Sequence, residues 1–316
     1  MSNSSAGSDG ARHDTLIGLM SGLGAYALWG LFPLFFKLLS AVSPAEVIAH
    51  RLIWAAMLLV VIITFRRRWG QVREILSSLR TTAIFAASAL FVSGNWLVFV
   101  WAVANGHVLQ SSMGYFIFPL VAVLLGTLFL KEPMVPRQWL AVIIVAAGVL
   151  WMVLGAGTFP WIALTLAVSF GAYGFIRKLM PAGPMVGLFV ETMILTPLAL
   201  IFLFWLEYHN GGSAFMAALN GIGDQWVLLL LPVAGFLTAV PLLLFAMATQ
   251  RLNLSTVGLM MYLNPTLQFL LAVLIFDEPF DRDMLVTFLC IWSGLLIFAI
   301  DPAKLRRRGA KVPSHH

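Results

Sequence analysis

The stretch FVWAVANGHVLQSSMGYFIFPLVAVLLGTLFLKEPMVPRQWLAVIIVAAGVLWMVL, Phe99–Leu154, returns without a gap as Phe245–Ile300, an offset of 146 residues. Across that offset Ala102 falls on Ala248, Pro119 on Pro265, and Gly148 on Gly294. The pair Glu132-Pro133 falls on Glu278-Pro279. Identity elsewhere is sparse, but apolar character is kept nearly throughout. An internal duplication decides architecture before any single residue does.

The chain is 61% hydrophobic and 10% charged, with a mean hydropathy of +0.95. Soluble domains carry about 25% charged residues, so most of this chain does not face water. Its apolar runs recur at roughly 20 residues, the length that crosses a hydrocarbon core. The alternation of an outer-membrane barrel is absent. The reading is an all-α polytopic membrane protein embedded in the lipid bilayer.

Ten spans are expected: Leu16–Leu39, Pro44–Phe65, Thr82–Ala104, Val108–Leu130, Arg137–Leu154, Thr158–Leu179, Met185–Leu206, Trp226–Thr249, Leu254–Phe276 and Met284–Ile300. The polar, Ser/Gly-rich residues 1–14 read as disordered. The first run is too long for a signal-peptide core and reads as an uncleaved span. Residues 15–155 form one five-span repeat, 156–303 the second, and 304–316 a basic tail. Five spans per repeat is an odd number, so the second repeat enters the membrane inverted relative to the first. Gly30 to Lys37 and Gly171 to Lys178 have the same spacing in the first span of each repeat. Inverted repeats are a mark of secondary transporters whose halves rock about a central site. A channel could share the symmetry.

With the N-terminus in the cytoplasm, the inner side collects Arg66, Arg67, Arg68, Arg73 and Arg80. It also collects Arg12, Lys131, Arg137, Arg177, Lys178, Arg251 and the basic tail. Only Lys37 and Arg282 fall outside, so the positive-inside rule puts both termini in the cytoplasm. The net charge of +6 and pI near 9.8 are explained by these loops and tails, and nucleic acid is not an expected partner. The single cysteine, Cys290, allows no intrachain disulfide and no cysteine metal site. No zinc helix, nucleophile elbow or phosphate loop is present, so the sequence points to no enzyme, metal or cofactor.

Span 2 carries Glu46, His50 and Arg51 in an otherwise apolar run. Glu46 and His50 share a helix face, and Arg51 sits about 10 Å in from the edge of the span. A charge at that depth faces a cavity or a partner. Arg51 and His50 are therefore candidates for a substrate or gating role, Arg51 as anchor for an anionic group. The alternative is an ion pair with Glu46 or snorkelling. Glu191 is the one carboxylate well inside a span of the second repeat, so it and Glu46 are candidates for proton coupling. The alternative for Glu191 is a partner for Arg177 or Lys178. Asn95, Trp101, Tyr115, Tyr173, Asn264 and Gln268 are candidate lining for a small organic substrate, against helix packing or an interfacial aromatic belt. Pro119 and Pro265, at matched positions, are candidate hinges or static bends. In the two Glu-Pro pairs, proline stops the helix and the carboxylate meets a nearby cation or amide.

The residues Asn95–Val103, Gly106-His107-Val108-Leu109, Met113–Phe116, Leu128–Glu132, Pro265–Val273 and Ala49-His50-Arg51 resemble RarD-type proteins. These belong to the EamA branch of the drug/metabolite transporter superfamily. The resemblance spans Leu16 to about Ala303. It implies ten spans in two five-helix repeats in the bacterial inner membrane. It also implies export of amino acids, metabolites or drugs. Relatives usually carry Asn before the proline of span 4, where this chain has Phe118; Asn264 precedes Pro265 at the mirrored place. The expectation is a secondary transporter of small organic molecules, with proton coupling as an option. A passive facilitator or a membrane scaffold is the alternative.

Overall fold

The computed structural model describes residues 4–131, 135–155, 159–180, 182–209, 212–252 and 260–299. Its helices are α1 Ser4–Leu38, α2 Pro44–Phe65, α3 Trp69–Ser77, α4 Leu79–Ala104, α5 Val108–Leu130 and α6 Pro136–Gly155. They continue as α7 Trp161–Leu179, α8 Pro184–His209, α9 Ala214–Leu219, α10 Val227–Arg251, α11 Leu263–Leu274 and α12 Arg282–Ala299. No strand occurs among the described residues.

Local chemistry sets several boundaries. α2 starts where the Ser43 hydroxyl accepts from Glu46 N at 3.2 Å and Pro44 occupies the first turn. The first amides of α5, Val108 N and Leu109 N, each donate to one oxygen of Glu278 at 2.7 Å. That carboxylate fills the positive, unsatisfied end of a helix. The other duplicated pair, Glu132-Pro133, lies outside the described residues.

Seven helices are long and apolar enough to cross a membrane by length and composition, among the described residues. They are α1, α2, α4, α5, α6, α8 and α10, and the molecule is a multi-pass membrane protein. Of the other expected spans, Trp161–Arg177 of α7 and Leu263–Leu274, which is α11, are shorter apolar helices among the described residues. α8 turns Leu198, Ile201 and Phe204 outward, as a helix facing lipid does.

Three further differences from the sequence reading have physical causes. α1 begins at Ser4 and runs through the segment expected to be disordered, because an established helix extends more cheaply than it nucleates. The connection after α2 folds as the amphipathic helix α3, with Val72 and Ile75 buried and the arginines exposed. The connection after α8 holds α9, whose six residues are too few to register as a period.

Packing follows the duplication. α1 packs on α10 and α11, and its counterpart α7 packs on α4 and α5. α2 meets α8, α5 meets α11 and α6 meets α12, each against its own counterpart. The small residues that permit close approach are also matched. A Cβ on Gly30 would lie 2.7 Å from Leu267 Cβ, and one on Gly171 2.8 Å from Val121 Cγ1. Leu267 and Val121 are themselves partners across the 146-residue offset. Gly148 and Gly294 both lie in the contact between α6 and α12.

Candidate functional site

Between the two sets of helices lies a cavity of about 440 Å³. Its walls are aromatic. Tyr26, Trp29 and Phe32 come from α1, and Trp96 and Phe99 from α4. Tyr115 and Phe118 come from α5, Phe170 and Tyr173 from α7, and Phe245 from α10. Polar groups are few: Arg51, Asn95, Arg177, Thr238, Asn264 and Gln268. Large apolar walls with a handful of polar groups suit an amphipathic organic molecule.

The wall reaches Ala182 in the α7–α8 connection and Pro184 at the start of α8. That connection lies at the C-terminal end of α2, where Leu59 and Ile63 pack with Val186 and Phe189. The same end carries Arg66, Arg67, Arg68 and Arg73, all exposed. Toward the N-terminal end of α2, Glu46 Oε1 accepts from Phe215 N of α9 at 3.1 Å, and the His50 ring lies 4.8 Å from that of Phe215.

Arg51 is 3% exposed. Its Nε donates to Thr238 Oγ1 at 2.6 Å. The guanidinium lies over the rings of Trp96 at 4.1 Å, Phe36 at 5.6 Å and Phe32 at 5.8 Å. Such stacking suits a planar, weakly hydrated cation. Nη1 has no hydrogen-bond partner among the described residues. Glu46 is not its ion-pair partner; that carboxylate is turned to α9.

Glu191, 1% exposed, is the opposite case. Its Oε1 accepts from Ser88 Oγ at 2.7 Å and lies 3.7 Å from Arg177 Nε. Its Oε2 accepts from Tyr173 OH at 3.4 Å. Arg177 also donates to the carbonyls of Ala182 and Gly183 at 3.4 and 3.2 Å. It lies over Gly187, where any Cβ would collide with the guanidinium. This is the one ion pair among the described residues.

Of the sequence candidates, the cavity gathers Arg51, Asn95, Tyr115, Tyr173, Asn264 and Gln268. Asn95 is consumed structurally: its Nδ2 donates to Leu166 O and Ser169 Oγ, and its Oδ1 accepts from Tyr115 OH. Gln268 Nε2 donates to Asn264 Oδ1 at 2.7 Å, while its Oε1 is buried without a partner among the described residues. Two candidates lie elsewhere. His50 faces α9, and Trp101 stacks on His107 at 5.7 Å and meets Trp161 at 5.3 Å. Helical spacing gives a shared face, but not which neighbour that face meets. Glu46 likewise meets α9. Pro119 lies inside a continuous α5, whereas Pro265 stands in the first turn of α11, where no helix hydrogen bond is lost. The matched prolines therefore sit in unlike settings.

The sequence reading passed over Thr238, Ser88 and the lining role of Arg177. Thr238 carried a signal: it is the lone hydroxyl in the apolar run from Val227 to Ala248.

The sequence matches the model of the EamA-like transporter family twice, over residues 16–154 and 160–300. It is 43% identical over 295 residues to Protein RarD of Salmonella typhimurium, covering 92% of this chain and 97% of that protein. It is 42% identical over 294 residues to an uncharacterized transporter of Vibrio cholerae, covering 93% and 95%. A solved structure described only as "Crystal structure of protein" aligns with a TM-score of 0.54 at 18% identity, over 95% of this chain and 99% of that one. That last likeness is one of fold alone.

Proposed function

The chain belongs to the EamA-like transporter family, with RarD proteins among its relatives, and on that premise we propose a secondary transporter of small organic molecules. It works in the bacterial inner membrane by alternating access between two inverted five-helix repeats. The ten spans are α1, α2, α4, α5 and α6, then α7, α8, α10, α11 and α12. Both termini face the cytoplasm, and transport runs outward.

The observation that carries this reading is the aromatic cavity, lined from α1, α4, α5, α7 and α10 and reaching Ala182 in the α7–α8 connection. That connection lies at the arginine-rich end, the cytoplasmic one by the positive-inside rule. Reciprocal helix pairing supports a rocking exchange, because each contact broken on one side has a counterpart on the other. Glu191 is the proton site: its protonation releases Arg177 and loosens the tie between α7 and α8.

Proteoliposomes with and without a pH gradient test this, loaded with a mixed panel of amino acids and amphipathic drugs. Saturable flux that follows the gradient and collapses in Glu191→Gln is the expected result. Saturable flux with counterflow, indifferent to the gradient and to Glu191→Gln, leaves the carrier and removes proton coupling. Non-saturable flux without counterflow makes the chain a passive facilitator.

A further inference from the structure

We propose that the cavity's cargo is an organic monoanion with a flat apolar body, its carboxylate held by Arg51 at Nη1. This rests on the cavity being the transport site and names what that site selects.

The first ground is charge. The described lining contains two guanidiniums, Arg51 and Arg177, and no carboxylate. Arg177 is neutralised by Glu191 and donates through Nη2 to the carbonyls of Ala182 and Gly183, leaving Nη1 without a partner among the described residues but with its charge already paired. Arg51 has one neutral hydroxyl, that of Thr238, and no ion pair among the described residues. A buried charge without a counter-ion is unfavourable in a low-dielectric interior, and a bound anion removes that penalty. The guanidinium fork also matches carboxylate geometry better than any neutral donor does.

The second ground is shape. Arg51 is pinned on the face of Trp96 and tied through Nε, so Nη1 is held in place before a ligand arrives. Preorganised donors lose little freedom on binding. The surrounding walls, Trp29, Phe99, Tyr115, Phe118 and Phe245, offer ring faces and edges to a planar body.

The third ground is what the site lacks. A zwitterion or an amine would bring an ammonium group, and the nearby carboxylate, Glu191, is already engaged by Ser88, Tyr173 and Arg177. Besides Arg51 Nη1 and Arg177 Nη1, the unpartnered lining atom among the described residues is an acceptor, Gln268 Oε1, which suits a neutral O–H or N–H on the cargo.

The test uses the full chain in nanodiscs and three probes of one shape: phenylacetate, its neutral amide phenylacetamide, and the amine phenethylamine. Calorimetry and thermal shift read binding without requiring transport. Phenylacetate is expected to bind saturably, and the amide and amine roughly 10- to 100-fold more weakly. Arg51→Gln brings acid and amide to equal affinity, while Arg51→Lys keeps a reduced preference for the acid. The proposal is overturned by an amide or amine that binds the unaltered chain as tightly as the acid. It is also overturned by an acid preference that survives Arg51→Gln, or by no phenylacetate binding at millimolar concentration. If Arg51→Gln does not fold, the contrast of acid, amide and amine on the unaltered chain decides alone. Flux of labelled phenylacetate separates the two readings. Selective binding without flux removes the transporter and keeps the anion site; flux of all three probes without preference does the reverse.

Discussion

Seven residues after the proline that opens α2 stands Arg51, and seven after the proline that opens α8 stands Glu191. Each takes a hydroxyl from the third apolar helix of the other repeat, Thr238 of α10 for Arg51 and Ser88 of α4 for Glu191. From there the two halves part. Glu191 is closed off by Arg177 and Tyr173, whereas Arg51 is stacked on rings and left with a spare donor. The duplicated scaffold thus offers two equivalent positions. One became an internal ion pair and the other an open cation. On the proposed function, symmetry would supply the moving parts, and its breaking at this level the site.

The strongest way to break that comparison is to remove each charge in turn from the empty protein. Glu191→Leu leaves Arg177 without its carboxylate and is expected to destabilise by about 3 kcal/mol. Adding Arg177→Met to it recovers most of the loss. Arg51→Met removes a charge that had no counter-ion, so its cost stays within about 1 kcal/mol. Thermal melts in detergent check all three. Equal losses for Glu191→Leu and Arg51→Met would mean that Arg51 has a structural counter-ion after all.

Next in size are the matched glycines. Gly30→Ala and Gly171→Ala each force a methyl against a packed side chain, Leu267 or Val121, at under 3 Å. Each is expected to cost about 1–3 kcal/mol by overpacking. Similar losses, again read from melting, are what equivalent halves require. A loss at only one would show that α1–α11 and α7–α5 are not equivalent contacts.

These elements differ in how far the sequence disclosed them. α2 and α5 have the bounds read from hydropathy, because a helix in lipid must be apolar along its length and its ends are marked by Ser-Pro or a turn. The Glu278 carboxylate was expected to meet a cation or an amide; it meets two amides of α5. The duplication showed which helices correspond, not which face each presents. His50 and Trp101 were therefore grouped with Arg51 and Tyr115, although their faces meet α9 and the start of α7 at Trp161. Arg177 was weighed only as a partner of Glu191, since a cation at a helix end reads as an interfacial anchor. Its reach into the cavity depends on Gly187 being bare.

A finer probe of the comparison is the pair of hydroxyls. Thr238→Val leaves Arg51 Nε buried without an acceptor and is expected to cost about 2 kcal/mol. Ser88→Ala takes one of three partners from Glu191 and is expected to cost about 1 kcal/mol. Melts of the two variants, and of each in an Arg51→Met or Glu191→Leu background, measure the coupling directly. If Thr238→Val costs less than Ser88→Ala, Arg51 is the better satisfied of the two charges.

The smallest expected effect concerns the residues before the matched prolines, Phe118 and Asn264, which both line the cavity but differ in chemistry. Phe118 packs against Phe170 at 4.9 Å, edge to face, so that wall is dry; Asn264 accepts from Gln268, so the facing wall is polar. A cargo would then lie with its apolar body toward α5 and α7 and any donor toward α11. Phe118→Asn removes a ring contact worth about 1 kcal/mol, so phenylacetate affinity should fall roughly fivefold. A ring-hydroxylated analogue should lose less, because the new amide can receive its hydroxyl. Calorimetry on the two acids separates the cases. Equal losses would mean that Phe118 contributes bulk alone and that the polarity of this wall does not orient the cargo.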